Sequence, residues 1–324
     1  MRFGVQVGHV GWAELRDLVH AVEALGFATL YFPDHLVHEG PERQSQDVPA
    51  DDPIVQAAVA IEASRRLRIG HLVLCNLFRH PAVTARSLAS LDRQSGGRVV
   101  AGLGAGWTET EFRMTGLPFP DVATRLRMLD EALVCLLALW RTEPFTFAGE
   151  FYRLEDAVLH VEPVQKPHPP VLLGGSGRGL LRIAAARADQ VNVITDTGRA
   201  GYISMAEVGR LTDAAFRTRV AFLREEAARC GRDPREIEVS QTLFTVMLTD
   251  SVDATRATAE AFGGMLRLPP EEVLRSPLTL IGTPEECIAE LRRREREWSL
   301  AETIFAVRST EQLRRLGTEI LPHV

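Results

Sequence analysis

The stretch "PVLLGGSGRGLLRIAAARAD", residues 170–189, changes its periodicity abruptly. An apolar run from Val171 to Leu173 meets Gly174, Gly175, Ser176 and Gly177, and a helical pattern follows at once. "QVNVIT" (190–195) then reads as another strand. Strand, glycine turn, helix and strand make the crossover unit that joins parallel strands. The glycine turn itself has two readings. It is a plain tight turn, or its backbone N–H groups at a helix N-terminus hold an anion. It is neither a GxxxxGK[ST] loop nor a full GxGxxG fingerprint.

The same alternation runs outward along the whole chain. Strands are expected at 3–8, 28–33, 67–75, 98–106, 171–174, 190–195, 236–248 and 302–307. Helices are expected at 12–27, 53–65, 81–97, about 121–142, 177–188, about 211–230 and 252–264, with another opened by Thr283–Pro284–Glu285–Glu286. Pro53 and Pro81 stand at first turns, where a missing N–H costs nothing. Residues 145–163 read as a hairpin excursion around Ala148–Gly149, and 268–286 as an irregular, proline-rich link. Strict βα alternation implies right-handed crossovers and a parallel sheet. Eight units over 324 residues suit one (β/α)₈ TIM barrel, residues 1–324, with insertions at about 36–52, 143–165, 196–209 and 265–282.

Composition narrows the function. With 45% hydrophobic and 25% charged residues, the chain can bury a sizeable core. A net charge of −6 offers no broad field for nucleic acid. Cys75, Cys135, Cys230 and Cys287 show no CxxC or paired spacing, so reduced thiols are expected, not a metal centre or a disulfide framework. No N-terminal signal pattern appears, and no apolar stretch nears the roughly 18 residues that span a membrane. The expectation is a cytoplasmic protein.

A barrel of this kind places its active site at the C-terminal strand ends. The candidates there are Gly8–Trp12, Asp34–His35–His38, Cys75–His80, Gly104–Glu111, Gly174–Gly179, Thr195–Ser204 and Ala306–Arg308. In "PDHL" (33–36) a carboxylate adjoins an imidazole that can handle a proton near neutral pH. From spacing alone, an N-cap aspartate beside a loop histidine is the plainer reading. "GLGAGW" (102–107) leaves its strand through glycines, which allow close approach of a flat ligand or simply a turn. Trp107 could stack on a ring or pack half-buried. In "FRHP" (78–81), Arg79 and His80 read as braces for the next helix or for a dimer contact.

Together these segments resemble the bacterial luciferase-like family of flavin and deazaflavin oxidoreductases. The most specific parts are "YFPDHL", "LRIGHLVLCNLFRHPAVTARSLASLDRQSGGRVVAGLGAGW" and "PPVLLGGSGRGLLRIAAARAD". Within the family the chain is most similar to the branch that uses coenzyme F420. The resemblance implies a TIM barrel, commonly dimeric, with a tricyclic ring over the strand ends. It implies that Gly174, Gly175, Ser176 and Gly177 hold the cofactor's phosphate. It implies a cis peptide at Leu72–Val73 that bulges against the ring. It also implies that Asp34 contacts the ring's head, that His35 lies near the reacting carbon, and that Gly106, Trp107 and Thr110 line the ring. In sugar-phosphate dehydrogenase relatives a glutamate acid would fall near Trp107, and its absence argues against that activity.

Two cofactors fit this cradle. F420 carries hydride, whereas reduced FMN activates oxygen, and the protein supplies orientation to either. The expected function is an F420-dependent oxidoreductase that moves hydride to or from a small organic substrate. The alternatives are an FMN-dependent monooxygenase and a non-catalytic flavin-binding member. A homodimer is expected, with a separate flavin or F420 reductase as supplier of reduced cofactor. His38, Arg43 and Arg199 could meet an anionic substrate, although exposed loop charge is the default reading.

Overall fold

The structure is a computed structural model and describes residues 1–8, 12–36, 51–195 and 209–324. In chain order the strands are β1 (Arg2–Val7), β2 (Thr29–Phe32), β3 (Arg68–His71), β4 (Leu74–Cys75), β5 (Val99–Gly104), β6 (Phe145–Ala148), β7 (Arg153–Ala157), β8 (Val171–Gly174), β9 (Gln190–Asn192), β10 (Glu238–Leu243), β11 (Thr245–Leu248), β12 (Thr279–Gly282) and β13 (Leu300–Val307). The helices are α1 (Trp12–Ala24), α2 (Pro53–Ala63), α3 (Pro81–Ser95), α4 (Glu109–Thr115), α5 (Val122–Leu139), α6 (Arg178–Arg187), α7 (Asp213–Arg229), α8 (Val252–Leu266), α9 (Pro270–Arg275), α10 (Pro284–Trp298) and α11 (Thr310–Arg315).

Eight parallel strands close into a barrel. Neighbours follow the order β3-β2-β1-β13-β10-β9-β8-β5, and β5 pairs with β3 to complete the ring. The alternation of side chains along each strand builds two cores. Leu30 and Phe32 of β2, Val99, Ala101 and Leu103 of β5, and Val171 and Leu173 of β8 face outward into the helix layer. Tyr31, Val100, Leu172 and Ile304 fill the barrel itself, with Leu72 and Val73 against them. Glu302 is also buried and accepts from Tyr31 Oη at 2.9 Å and Gln190 Nε2 at 2.8 Å. Outside, Trp140 Nε1 donates to Ala85 O at 2.9 Å and pins α5 to α3.

Local signals set the helix ends. Asp52 caps α2 by accepting from Ile54 N–H, and Pro53 opens it. The Thr283/Glu286 capping box starts α10.

The structure corrects the sequence reading in four places. The strand expected at 67–75 is interrupted at Leu72–Val73 and resumes as β4. The strand expected at 236–248 divides at Phe244, where the N–H groups of Phe244 and Thr245 turn to Leu278 O. β11 then pairs with β12 outside the barrel. The supposed irregular link at 268–286 contains α9 and β12, since Pro270 sits in the first turn of a helix and does not block it. Finally, the loop after β5 holds the short helix α4. Alternation records which face is apolar but not which partner a strand takes. The 143–165 insertion is the antiparallel hairpin β6–β7. His38, Arg43 and Arg199, with most of the 36–52 and 196–209 insertions, lie outside the described residues.

His71 ends β3 fully buried, with Nε2 3.3 Å from Pro53 O and Nδ1 without a partner. Burial lowers its pKa to about 4. The unfolded chain therefore binds a proton between pH 6.5 and 4 that the folded chain refuses, so stability falls as pH falls through that window. The full effect is about 3 kcal/mol. Denaturant unfolding between pH 7 and pH 4 should show this slope reduced in His71→Gln; an identical slope in both proteins contradicts it.

Candidate active site

The C-terminal mouth of the barrel is shaped by a bulge. Leu72–Val73 is a cis peptide between non-proline residues, and Gln6 Nε2 donates to Leu72 O at 3.2 Å. Three glycines make room for it. A Cβ on Gly102 would lie 1.7 Å from His71 O, on Gly104 2.5 Å from Val73 Cγ2, and on Gly174 2.9 Å from Val73 Cγ1. The "GLG" exit and the first glycine of "GGSG" are thus demanded by the protein's own backbone, a role that neither a turn nor ligand approach had suggested.

His35 stands at the same end of the barrel, three residues past β2. Its Nδ1 is 3.3 Å from Glu111 Oε1 and 3.4 Å from Oε2, and its ring meets Trp107 edge-on at 5.5 Å. Glu111 is only 2% exposed and also accepts from Leu36 N–H at 2.6 Å. The Nδ1 of His35 is the ring nitrogen engaged by Glu111, and Nε2 makes no such contact with it. The His35 side chain remains 28% exposed. Glu111 belonged to the expected loop set but carried no assigned role. Its only signal was its place three residues after Thr108, the N-cap of an unforeseen helix.

Asp34 faces the other way. Its Oδ2 accepts from Cys75 N–H at 2.9 Å and from Arg79 Nη1 at 2.6 Å, and Oδ1 lies 3.3 Å from Arg79 Nη2. Arg79 Nη2 also reaches Asp52 Oδ2 at 2.7 Å. Burial pushes the Asp34 carboxyl up, and Arg79 and the Cys75 amide pull it back without cancelling the shift. Burial opposes the charge on Arg79, but the two carboxylates outweigh it and raise its pKa. Both Asp34 oxygens accept from protein donors, which fixes the carboxylate that precedes His35 in the chain. Arg79 braces β2 and α2, whereas His80 caps α3 by accepting from Ala82 N–H at 3.2 Å. Burial also lifts the Cys75 thiol to about 12, so it stays protonated.

Gly106 takes φ +77°, and a Cβ there would lie 2.9 Å from Cys75 Sγ. Thr110 is half-buried on α4. Across the mouth, Gly175 N–H is spent on Asn192 O at 3.0 Å. The following turn is open. Gly177 is the N-cap of α6 with no side-chain cap, and buried Ser176 Oγ has no partner among the described residues. An uncapped helix start with an orphaned hydroxyl fits a phosphate.

The fold is that of a TIM-barrel enzyme, with His35 held against Glu111 and the start of α6 without a side-chain cap. The chain belongs to the luciferase-like monooxygenase family, which matches residues 1–266. It is 31% identical over 279 residues to the F420-dependent glucose-6-phosphate dehydrogenase of Nakamurella multipartita, covering 84% of this chain and 75% of that protein. It is 37% identical over 109 residues to the FMNH₂-dependent dimethylsulfone monooxygenase of Pseudomonas putida, covering 34% of this chain and only 30% of that protein. The structure of an F420-dependent secondary alcohol dehydrogenase in complex with an F420–acetone adduct has the same fold, with a TM-score of 0.78 at 19% identity over 100% of this chain and 98% of its own. Among the described residues no helix is long and apolar enough to cross a membrane.

Replacing Arg79 with Met would leave Asp34 buried without its counter-charge. A loss of about 3–5 kcal/mol in unfolding free energy is expected, largely recovered in Arg79→Met/Asp34→Asn. A single variant as stable as the parent would show that the pair does not hold β2 to α2.

Proposed function

We propose that this chain is an F420-dependent oxidoreductase acting on a small organic substrate. The observation that carries the reading is His35, a loop histidine just past the end of β2, held against buried Glu111. The relative of Nakamurella multipartita supports the choice of cofactor. Ser176 Oγ and the first N–H groups of α6 would hold the phosphate, and the Leu72–Val73 bulge would back the ring, with Gly106, Trp107 and Thr110 at its edge. F420, when bound, supplies a carbon centre that gives or takes hydride. His35 Nε2 accepts or returns the accompanying proton at the substrate. Glu111 keeps that imidazole in one tautomer and stabilises its charged form.

The FMN reading rests on the match to the dimethylsulfone monooxygenase. It requires a separate reductase and consumes oxygen. Parallel fluorescence titrations with F420 and FMN, followed by oxygen-uptake measurements, separate the two readings. Tight FMN binding with oxygen uptake and no F420 affinity rejects the first. The same reading includes a cytoplasmic homodimer. Val55 on α2 and Val83 on α3, both exposed, are apolar contacts that a second copy would cover.

His35→Ala should lower turnover on the order of 10²–10⁴-fold, with cofactor affinity little changed. Turnover that stays at the parental level removes His35 from the chemistry. Gly177→Asp tests the phosphate. A Cβ at Gly177 meets nothing within 4 Å, and its φ of −66° is ordinary. Aspartate is also a favourable N-cap. The variant should fold at least as well as the parent yet repel the phosphate, so retained affinity for the phosphate-bearing cofactor sinks that assignment.

A further inference from the structure

The floor of the barrel, at the opposite end from the mouth, holds polar atoms that the fold leaves open. Thr29 and Gln190 begin β2 and β9, Glu302 lies near the start of β13, and all three are buried. Glu302 spends Oε2 on two donors, Tyr31 Oη and Gln190 Nε2, while its Oε1 has no partner among the described residues. Gln190 Oε1, Thr29 Oγ1 and Arg2 Nε are buried and have none either. The other nitrogens of Arg2 are taken, since both Nη atoms donate to Glu238 and join the starts of β1 and β10.

The four atoms belong to one neighbourhood. Arg2 stands beside Glu302 in the β1–β13 register, and Thr29 beside Gly4 in the β1–β2 register. A Cβ on Gly4 would lie 3.0 Å from Glu302 Oε1 and 3.1 Å from Tyr31 Cε2. Oε1 thus looks toward β1, the strand that carries Arg2 and pairs with the strand of Thr29. Gln190 reaches the same carboxylate through its amide nitrogen at 2.8 Å, which leaves the amide oxygen over.

Their chemistry selects the guest. Arg2 Nε–H and the Thr29 hydroxyl donate, whereas Glu302 Oε1 and Gln190 Oε1 accept. A cation would meet the Arg2 guanidinium, and an anion would meet the Glu302 carboxylate. A water molecule has two protons and two lone pairs, the complement of two donors and two acceptors. A buried polar atom without a partner is costly, and internal waters typically make about three bonds to such atoms.

We propose that the barrel floor binds an internal water, held by Arg2 Nε, Thr29 Oγ1, Glu302 Oε1 and Gln190 Oε1. The water extends the Glu302 node, which already joins β2, β9 and β13, to β1. That strand also carries Gln6, whose amide donates to Leu72 O at the mouth. The inference goes beyond the F420 reading and does not rest on it, because none of the four residues lies at the mouth.

Two measurements test it. The first is a crystal structure of the parent at a resolution that shows ordered water. Density for one water within hydrogen-bond distance of both Arg2 Nε and Glu302 Oε1 is expected. A dry floor overturns the proposal, as does direct contact between those two atoms. The second is denaturant unfolding of Thr29→Val, which exchanges the hydroxyl for a methyl group and keeps the branched strand residue. If Thr29 bonds the water, the variant loses that bond, and its unfolding equilibrium constant should rise about three- to tenfold. An unpaired hydroxyl would instead be removed at no cost, so a variant at least as stable as the parent overturns the four-point site. The crystal structure needs no variant and decides the matter if Thr29→Val does not fold.

Discussion

The ion pair between Asp34 and Arg79 joins three pieces of chain that meet nowhere else in the sequence. Asp34 follows β2, Arg79 follows β4, and Asp52, the second partner of Arg79, caps α2. Asp34 also takes the Cys75 amide, so the return of the third strand after its bulge hangs on the same carboxylate. The Asp34 and Arg79 charges are largely held away from water, where an unpaired member would be expensive, whereas Asp52 is half-exposed. His35 inherits its position from this arrangement, because it leaves the chain directly after Asp34.

Sterics complete what the ion pair begins. The Leu72–Val73 bulge enters the mouth of the barrel, and only residues without a Cβ can line the strands opposite it. Gly70 plays the matching part deeper inside, where a Cβ would lie 2.7 Å from Tyr31 Cε1. Tyr31 is thereby able to reach Glu302, which ties β2, β9 and β13 together across the barrel. The glycines around the bulge are thus spent on internal packing, whereas Gly177, at the start of α6, has open space around it.

Much of this is legible in the sequence alone. The periodicity of residues 170–195 and its repetition along the chain specify a parallel barrel, since alternating strands and helices bury their apolar faces in few other ways. The helix starts at Pro53, Pro81 and Thr283 were legible because caps are local. The exit of β11 to pair with β12 was not, because "EIEVSQTLFTVML" has strand character throughout and its change of partner is decided elsewhere. Helix α4 was hidden by its shortness and by the glycines on either side.

The candidate site divides in the same way. His35, Asp34 and the glycine turn could be named from the sequence because each follows a strand end, and barrel topology gathers strand ends at one mouth. Their partners could not. Glu111 lies 76 residues from His35, and Arg79 lies 45 from Asp34. Arg125 looks like any charge near the start of a helix until the structure shows it buried, with Nε unpaired among the described residues. Sequence pattern by itself determined the barrel and the face that carries the chemistry, because side-chain period is a local property. Tertiary structure alone decided which charges are paired, which glycines are structural and which donors remain open, because those depend on distances that exist only once the strands have closed.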